Sequence, residues 1–239
     1  MMKFDGTLAG RPGRFGNPIA DFVASTSSPR ASRGHTLAGG GVFFITQLRK
    51  CSRSASEVFK VLRPYVEKDP NTVLICDGGE FAQWGQSILP VKRRLINSVA
   101  GAIGSGIPAA IAARRAEPKA PVIAVMGDGT FGFHMAEFDT SVRHGLPFLA
   151  IVGNDACWNA ESQIQKRDYG ASRMHGCALL PTRYDQVVVA MGGHGENVEK
   201  PEHLQGAIER GLAAVAAGKP ACLNIMVESI GSPVIHKAG

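Results

Sequence analysis

Apolar residues fall into two kinds of run along this chain, and the contrast between them predicts its elements. Four short stretches, Thr72–Cys76, Pro121–Met126, Phe148–Val152 and Ala221–Val227, are apolar with little interruption and rich in branched side chains. A half-exposed strand alternates polar and apolar, so near-unbroken runs of this length predict strands buried on both faces of a sheet. Between them the spacing becomes helical. After Ser54-Ala55-Ser56-Glu57, the residues Val58, Leu62 and Val66 recur at four-residue steps until Pro70. Asn97–Arg115 reads as a helix of small residues, and Phe133–His144 as one closed by Gly145. Tyr184–Met191 and Pro201–Ala217 read as later helices, the second with Leu204, Ile208 and Leu212 in line. Strands alternating with helices predict an α/β fold: a doubly wound, mostly parallel sheet with helices on both faces, over residues 54–230. No internal repeat is visible.

Composition changes this picture mainly at the ends. Residues 1–53 are rich in Gly, Pro, Ser and Arg and read as an irregular arm or linker, with one short candidate strand at Val42–Leu48. Residues 231–239 read as a tail. The arm holds eight basic and two acidic residues, which accounts for the whole formal charge of +6. Basicity confined to an aperiodic arm, with few stacking aromatics, argues against nucleic-acid binding. Its Arg- and Ser-rich, acid-poor character leaves organelle targeting as an alternative to a cytoplasmic location, although no amphipathic helix is evident. No apolar run reaches the roughly 18–20 residues of a membrane-spanning helix. The five cysteines are scattered without a C-x-x-C pair, so reduced thiols are expected rather than a disulfide or zinc framework.

Candidate chemistry concentrates in Pro121–Asp155, a strand, a glycine turn, a helix and a second strand. In open parallel sheets ligands bind beyond the carboxyl ends of strands. There Gly127, Gly129 and Gly132 would let backbone N–H groups at a helix start approach a phosphate. The run Gly127-Asp128-Gly129-Thr130-Phe131-Gly132 also fits G-x-G-x-x-G, and Asp155 follows at a spacing suited to a ribose ligand, so an NAD(P)-binding oxidoreductase is an alternative. Charge argues against it. A carboxylate between the first two glycines would sit beside the pyrophosphate, and two like charges at about 4 Å cost on the order of 4 kcal/mol at an effective dielectric of 20. A cation between them removes that cost. Asp128 and the side-chain oxygen of Asn154, at the end of the next strand, suit magnesium, which takes oxygen ligands from a few protein groups, phosphates and water.

Gly127-Asp128-Gly129 followed by Asn154 resembles the signature of thiamine diphosphate (ThDP) enzymes. The wider stretch GDGTFGFHMAEFDTSVRHGLPFLAIVGND resembles the acetolactate synthase, oxalyl-CoA decarboxylase and benzaldehyde lyase branch. Similarity extends from about Ser54 to Val227, the C-terminal, diphosphate-binding domain of those enzymes. The resemblance implies ThDP and Mg2+ as cofactors, with Asp128, the Asn154 side chain and the backbone carbonyl of Ala156 as metal ligands. It implies that Gly127, Gly129, Thr130 and Phe131 line the diphosphate. Gly101, Ile103 and Gly104 would fall in the glycine-rich turn under the cofactor, Ile103 propping the bent conformer, and Gly79 and Glu80 would touch the cofactor. One departure is Gly153, where the family usually carries a first asparagine.

The implied activity is carboligation or decarboxylation of a 2-oxo acid or 2-hydroxyacyl substrate. Family members are more than twice this length and begin with a pyrimidine-binding domain whose glutamate activates the cofactor. Nothing before Ser54 reads as that domain, so the chain is expected to be incomplete on its own, to lack the catalytic glutamate, and to need a second chain in a homo- or hetero-oligomer. A non-catalytic fragment that binds cofactor or a partner subunit is the remaining alternative. Cys157 and Trp158, just after the metal turn, read either as substrate-facing or as buried under a loop. His134, His144 and His175 read as surface or capping residues. Trp84 reads as an exposed or interface aromatic.

Overall fold

The computed structural model describes residues 54–97 and 101–232; the arm, Val42–Leu48 and most of the tail lie outside the described residues. The chain opens on α1 (Ala55–Glu67), where the Glu57 carboxylate reaches back to the Ser54 N–H at 3.3 Å and fixes the first turn. Its buried face is Val58, Phe59, Leu62 and Val66. Then follow β1 (Val73–Asp77), α2 (Gly79–Ile88), β2 (Arg93–Ile96), α3 (Gly106–Ala116) and β3 (Val122–Gly127). After β3 come α4 (Asp128–His134), α5 (Glu137–His144), β4 (Leu149–Asn154), α6 (Asn159–Tyr169) and α7 (Tyr184–Ala190). The described chain closes with β5 (His194–Val198), α8 (Leu204–Ala216) and β6 (Ala221–Met226).

Among the described residues the six strands are all parallel, in the order β2-β1-β3-β4-β6-β5. Because side chains alternate across a strand, each central strand feeds two cores. Ile123 and Val125 of β3 join Phe59, Leu62 and Ile208 on one face, under α1, α2 and α8. Val122, Ala124 and Met126 join Phe131, Phe138 and Phe148 on the other, under α3, α4, α5 and α7. The doubly wound sheet expected from the sequence is therefore the observed one. β1 lies between β2 and β3, so the winding direction reverses at β1, and a crevice opens beyond the carboxyl ends of β1 and β3.

Two helices differ from expectation. Among the described residues of Asn97–Arg115 the helix begins at Gly106, because Asn97 (φ 50°), Gly101 (φ 70°) and Gly104 (φ 100°) adopt left-handed backbone that no α-helix can contain. Phe133–His144 is two helices: α4 begins directly at Asp128, and the chain turns at Met135–Ala136 before α5. Gly145 does end α5, at φ 59°.

Candidate functional site

The ends of three strands meet at the crevice. β1 delivers Asp77 and Gly78, β3 delivers Gly127 and Asp128, and β4 delivers Asn154. A cavity of about 70 Å³ opens there, bordered by Gly79, Glu80, Ile103, Gly127–Thr130, Asp155 and Trp158, among others. Among its lining residues there are acidic side chains, Glu80, Asp128, Asp155, Glu161 and Glu228, and no Lys, Arg or His.

Asp128 is 2% exposed. Its Oδ1 accepts the Gly129 N–H at 2.9 Å, while Oδ2 is buried without a hydrogen-bond partner. Burial raises its pKa to about 6, against the pull of the N–H groups of Gly129, Ala156 and Cys157. Asp155 is raised to about 7, by burial first and by the charge of Asp128 second, with Ser229 opposing. Asn154 is fully buried and its Oδ1 accepts the Ala156 N–H at 3.2 Å. Ala156, whose N–H that oxygen accepts, is held in left-handed conformation (φ 52°). Neither Asn154 nor Ala156 borders the cavity, whereas Asp155 and Cys157 do. The Ala156 carbonyl accepts from the Leu179 N–H at 2.7 Å, which leaves one lone pair. Among the described residues no three His, Cys, Asp or Glu side chains gather as a cage. A cation here would draw most of its ligands from phosphate, backbone and water, as magnesium does. An orphaned, buried carboxylate oxygen is costly unless something meets it, so Asp128 fits such a cation.

Some glycines near the cavity are explained by what fills their missing Cβ positions, although Gly79 and Gly127 have nothing within 4 Å of theirs. A Cβ on Gly78 (φ 62°) would lie 2.2 Å from Thr130 Oγ1 and 2.9 Å from Ile103 Cγ2, so both side chains pack over the glycine backbone. The Gly78 N–H donates to Asn97 Oδ1 at 3.0 Å. Ile103 borders the cavity; Gly101 and Gly104 do not, and they shape its turn instead. That turn is pinned by His134 Nδ1, 2.7 Å from the Gly104 carbonyl, and by the Asp77 carboxylate, which accepts the Gly106 N–H. Phe131 sends its ring into the core against Phe138 and Tyr184, so only its backbone is available to a ligand. Glu80 is 2% exposed: Oε2 accepts the Ser232 N–H, and Oε1 is buried without a partner.

Gly153, the departure from the family pattern, has a local cause. Its Cβ position is filled by the Phe81 ring, at 2.2–2.6 Å. Gly132, by contrast, would place a Cβ 3.7 Å from the Tyr184 hydroxyl, an ordinary contact. The third glycine of a dinucleotide fingerprint is there for close helix–strand packing, and nothing here requires it.

Trp158 borders the cavity, and its ring lies where a Cβ on Gly129 would be, 2.5–2.8 Å away. It meets Phe133 edge-on at 5.8 Å. Cys157 also borders the cavity, with its thiol raised to about 11 by burial. Trp84 is half-buried against the α1–α2 core rather than exposed. Sequence reasoning missed the segment Val227–Ser232, which crosses the site and is tied down by Ser232 Oγ to Gln83 Oε1 at 2.8 Å and by Asn159 Nδ2 to the Ile230 carbonyl at 3.2 Å. It also missed Asn224. The available signal was an asparagine inside the apolar run ACLNIM of β6.

The family profile described as thiamine pyrophosphate enzyme, C-terminal TPP binding domain, matches residues 77–225. A probable acetolactate synthase of Mycobacterium bovis is 38% identical over 176 residues, which is 72% of this chain and 31% of the relative. The acetolactate synthase large subunit IlvG of Mycobacterium tuberculosis gives the same values, 38% over 72% of this chain and 31% of its own. The 2-hydroxyacyl-CoA lyase 2 of Caenorhabditis elegans is 32% identical over 165 residues, 66% of this chain and 25% of the relative. The chain therefore spans between a quarter and a third of the length of these relatives. Thiamine pyrophosphate is ThDP, and the matched residues run from the end of β1 into β6, so Glu80, Ile103, Asp128 and Trp158 lie within the match and the segment Val227–Ser232 lies beyond it. The chain belongs to the thiamine pyrophosphate enzymes, and carries their C-terminal, cofactor-binding domain.

Proposed function

We propose that the cavity holds the diphosphate of ThDP through a magnesium ion, ligated by Asp128, the Asn154 side chain and the free lone pair of the Ala156 carbonyl. The observation that carries this is the buried Asp128 Oδ2, partnerless among the described residues, in a cavity whose described lining includes no cationic side chain. An anionic ligand enters such a place only with a cation of its own. Gly127, Gly129, Thr130 and Phe131 offer backbone N–H groups at the start of α4, and Thr130 adds a hydroxyl. Gly101 and Gly104 set the turn on which Ile103 supports the cofactor from below, with Gly79 and Glu80 bordering it at the start of α2.

When bound, ThDP supplies a carbanion that adds to a carbonyl carbon and allows the neighbouring C–C bond to break or form. The chain's part is to anchor the diphosphate, orient the cofactor over Ile103, and keep water out with Trp158 and the segment Val227–Ser232. We assign the whole site to an acetolactate synthase-like carboligase or decarboxylase acting on a 2-oxo acid or 2-hydroxyacyl compound. In this reading a pyrimidine-binding domain of another chain supplies the activating glutamate, in a homo- or hetero-oligomer. The four described cysteines are free thiols, which agrees with a reducing, cytoplasmic setting. No helix among the described residues is long and apolar enough to cross a membrane.

Calorimetric titration of ThDP into the chain tests the site, with Mg2+, with EDTA, and on Asp128→Ala. Binding that requires both Mg2+ and Asp128 is expected. Binding indifferent to both would overturn the metal reading, and saturable NADH binding in EDTA would restore the dinucleotide alternative.

A further inference from the structure

We propose that Glu80 is a positioning residue: it seats the segment Val227–Ser232 as a wall of the cavity, and through that wall sets how long a ligand stays bound. The proposal rests on the cavity being the ThDP site, but not on which residues hold the cation. β6 ends at Met226, and the segment after it must reach the start of α2, which follows β1. β4 and β3 stand between β6 and β1 in the sheet, so the segment runs over their carboxyl ends, where Asp128 follows β3. Its first step is fixed by the Val227 N–H, which donates to the Asn154 carbonyl at 3.0 Å. On the way Val227, Glu228 and Ile230 border the cavity.

Neither strand pairing nor apolar packing holds this wall. The segment has no regular secondary structure, and neither hydrophobic core includes a described residue beyond Val227. Ile230 is 39% exposed. The far end hangs instead on side chains of α2. Ser232 is fully buried; its N–H donates to Glu80 Oε2, and its Oγ donates to Gln83 Oε1 at 2.8 Å. Midway, Asn159 Nδ2 donates to the Ile230 carbonyl at 3.2 Å. Of these ties the one to Glu80 is the strongest, because a carboxylate acceptor roughly doubles the strength of a hydrogen bond.

Fold stability does not explain a carboxylate at this position. Glu80 is 2% exposed and borders the cavity, and its Oε1 has no partner among the described residues. Burying a carboxylate with one oxygen unmet is costly. Part of that cost is offset because Glu80 lies in the first turn of α2, where a negative side chain is favoured. The residue thus fastens a wall that the core does not need. A wall fastened at its end by a few polar bonds opens when they break, so the Glu80–Ser232 bond governs escape from the cavity.

Two measurements on the full chain test this: hydrogen exchange at the Ser232 amide, and the rates of ThDP binding and release with Mg2+, followed by tryptophan emission on mixing and on dilution. Losing one hydrogen bond to a charged group shifts an equilibrium by about tenfold to a hundredfold. Glu80→Ala is therefore expected to speed both amide exchange and ThDP release by about tenfold or more, with the binding rate little changed. Glu80→Gln keeps an acceptor oxygen for the Ser232 N–H and is expected to stay close to the parent in both. A Glu80→Ala chain whose Ser232 amide stays protected, or whose ThDP release is that of the parent, would overturn the proposal and leave the ThDP site intact. Equally fast release in Glu80→Gln and Glu80→Ala would also overturn it, since the effect would then belong to the charge and not to the wall. A parent that binds no ThDP would overturn the site and the proposal together. Should Glu80→Ala not fold, Gln83→Ala carries the test: faster exchange and faster release supports the wall, and parent-like release refutes it.

Discussion

Placing an asparagine at position 153 should damage this protein rather than improve it. In Gly153→Asn the new Cβ would lie 2.2, 2.3 and 2.6 Å from three atoms of the Phe81 ring. The ring cannot simply step aside. Phe81 is 6% exposed and packs on Phe59 at 4.7 Å between centroids, and Phe59 is fully buried. Forced overpacking of this kind costs about 1–3 kcal/mol. In a domain of this size each kcal/mol lowers the melting temperature by about 2–4 °C. A drop of about 2–12 °C in a calorimetric or circular-dichroism melt follows from those two figures. The decisive measurement is the double variant. Phe81→Ala alone opens a cavity and costs about 3–5 kcal/mol, but in its presence the asparagine has room. The double variant should therefore be less destabilised than the sum of the singles by about 1 kcal/mol or more, within the usual coupling range of contacting residues. Strict additivity, or a Gly153→Asn chain as stable as the parent, would refute the claim that Phe81 is the reason for the glycine.

Other perturbations have defined outcomes. Because burial raises the Asp128 pKa from 3.8 to about 6 in the metal-free protein, the folded state holds the extra proton between those values. Stability in EDTA should therefore be highest below the unfolded value and fall as pH rises through about 6, by on the order of 3 kcal/mol from this group. Urea titrations should show that component lost in Asp128→Asn; an identical pH profile in the variant would contradict the assignment. Phe131→Ala removes a fully buried ring that meets Tyr184 at 5.0 Å and Phe138 at 5.7 Å, and should cost about 3–5 kcal/mol in chemical denaturation. Of the two tryptophans, Trp158 borders the cavity and Trp84 packs on the α1–α2 core. ThDP with Mg2+ should change tryptophan emission in the parent and leave it unchanged in Trp158→Phe; an equal response in both would remove Trp158 from the site.

What the sequence disclosed depended on whether a signal was local. The strands β1, β3, β4 and β6 are central and buried on both faces, so their apolar runs are unbroken and legible. The edge strands β2 (RRLI) and β5 (HGENV) are mostly exposed or half-buried and carry polar residues, so no periodicity marks them. α2 was hidden by glycines inside a helix. Gly85 is there because a Cβ would meet the Phe59 ring at 3.1 Å, a constraint set by a residue on another element. The same division holds in the site. Asp128 and Asn154 announce themselves because a carboxylate between two glycines is chemically odd at a phosphate turn. The partners of Asn154 do not, because Asn224 lies 70 residues away in sequence and meets it only through strand pairing. Trp158 was correctly placed after the metal turn, but its seat on Gly129 depends on the start of α6, a helix the sequence did not mark.

The electrostatics of the cavity also bear on why the domain is built around a cation rather than a basic side chain. An arginine or lysine beside the diphosphate would hold the anion without a metal. The protein instead has carboxylates at Glu80, Asp155 and Glu228, and burial raises Asp155 to about 7 and the neighbouring Asp128 to about 6, a sign that these two charges are poorly compensated by the protein itself. Local instability of this kind is common where binding matters more than folding. Its consequence is discrimination. A bare diphosphate meets repulsion, a bare cation meets too few protein ligands, and only the pair satisfies Asp128 Oδ2 and the screened carboxylates together. Cation and diphosphate should therefore bind with strong positive cooperativity, each tightening the other by the same factor. Titrating Mg2+ at fixed ThDP, and ThDP at fixed Mg2+, should return equal coupling factors, both collapsing toward one in Asp128→Ala. Independent binding of the two in the parent would mean that the acidic lining serves some purpose other than admitting them as a pair.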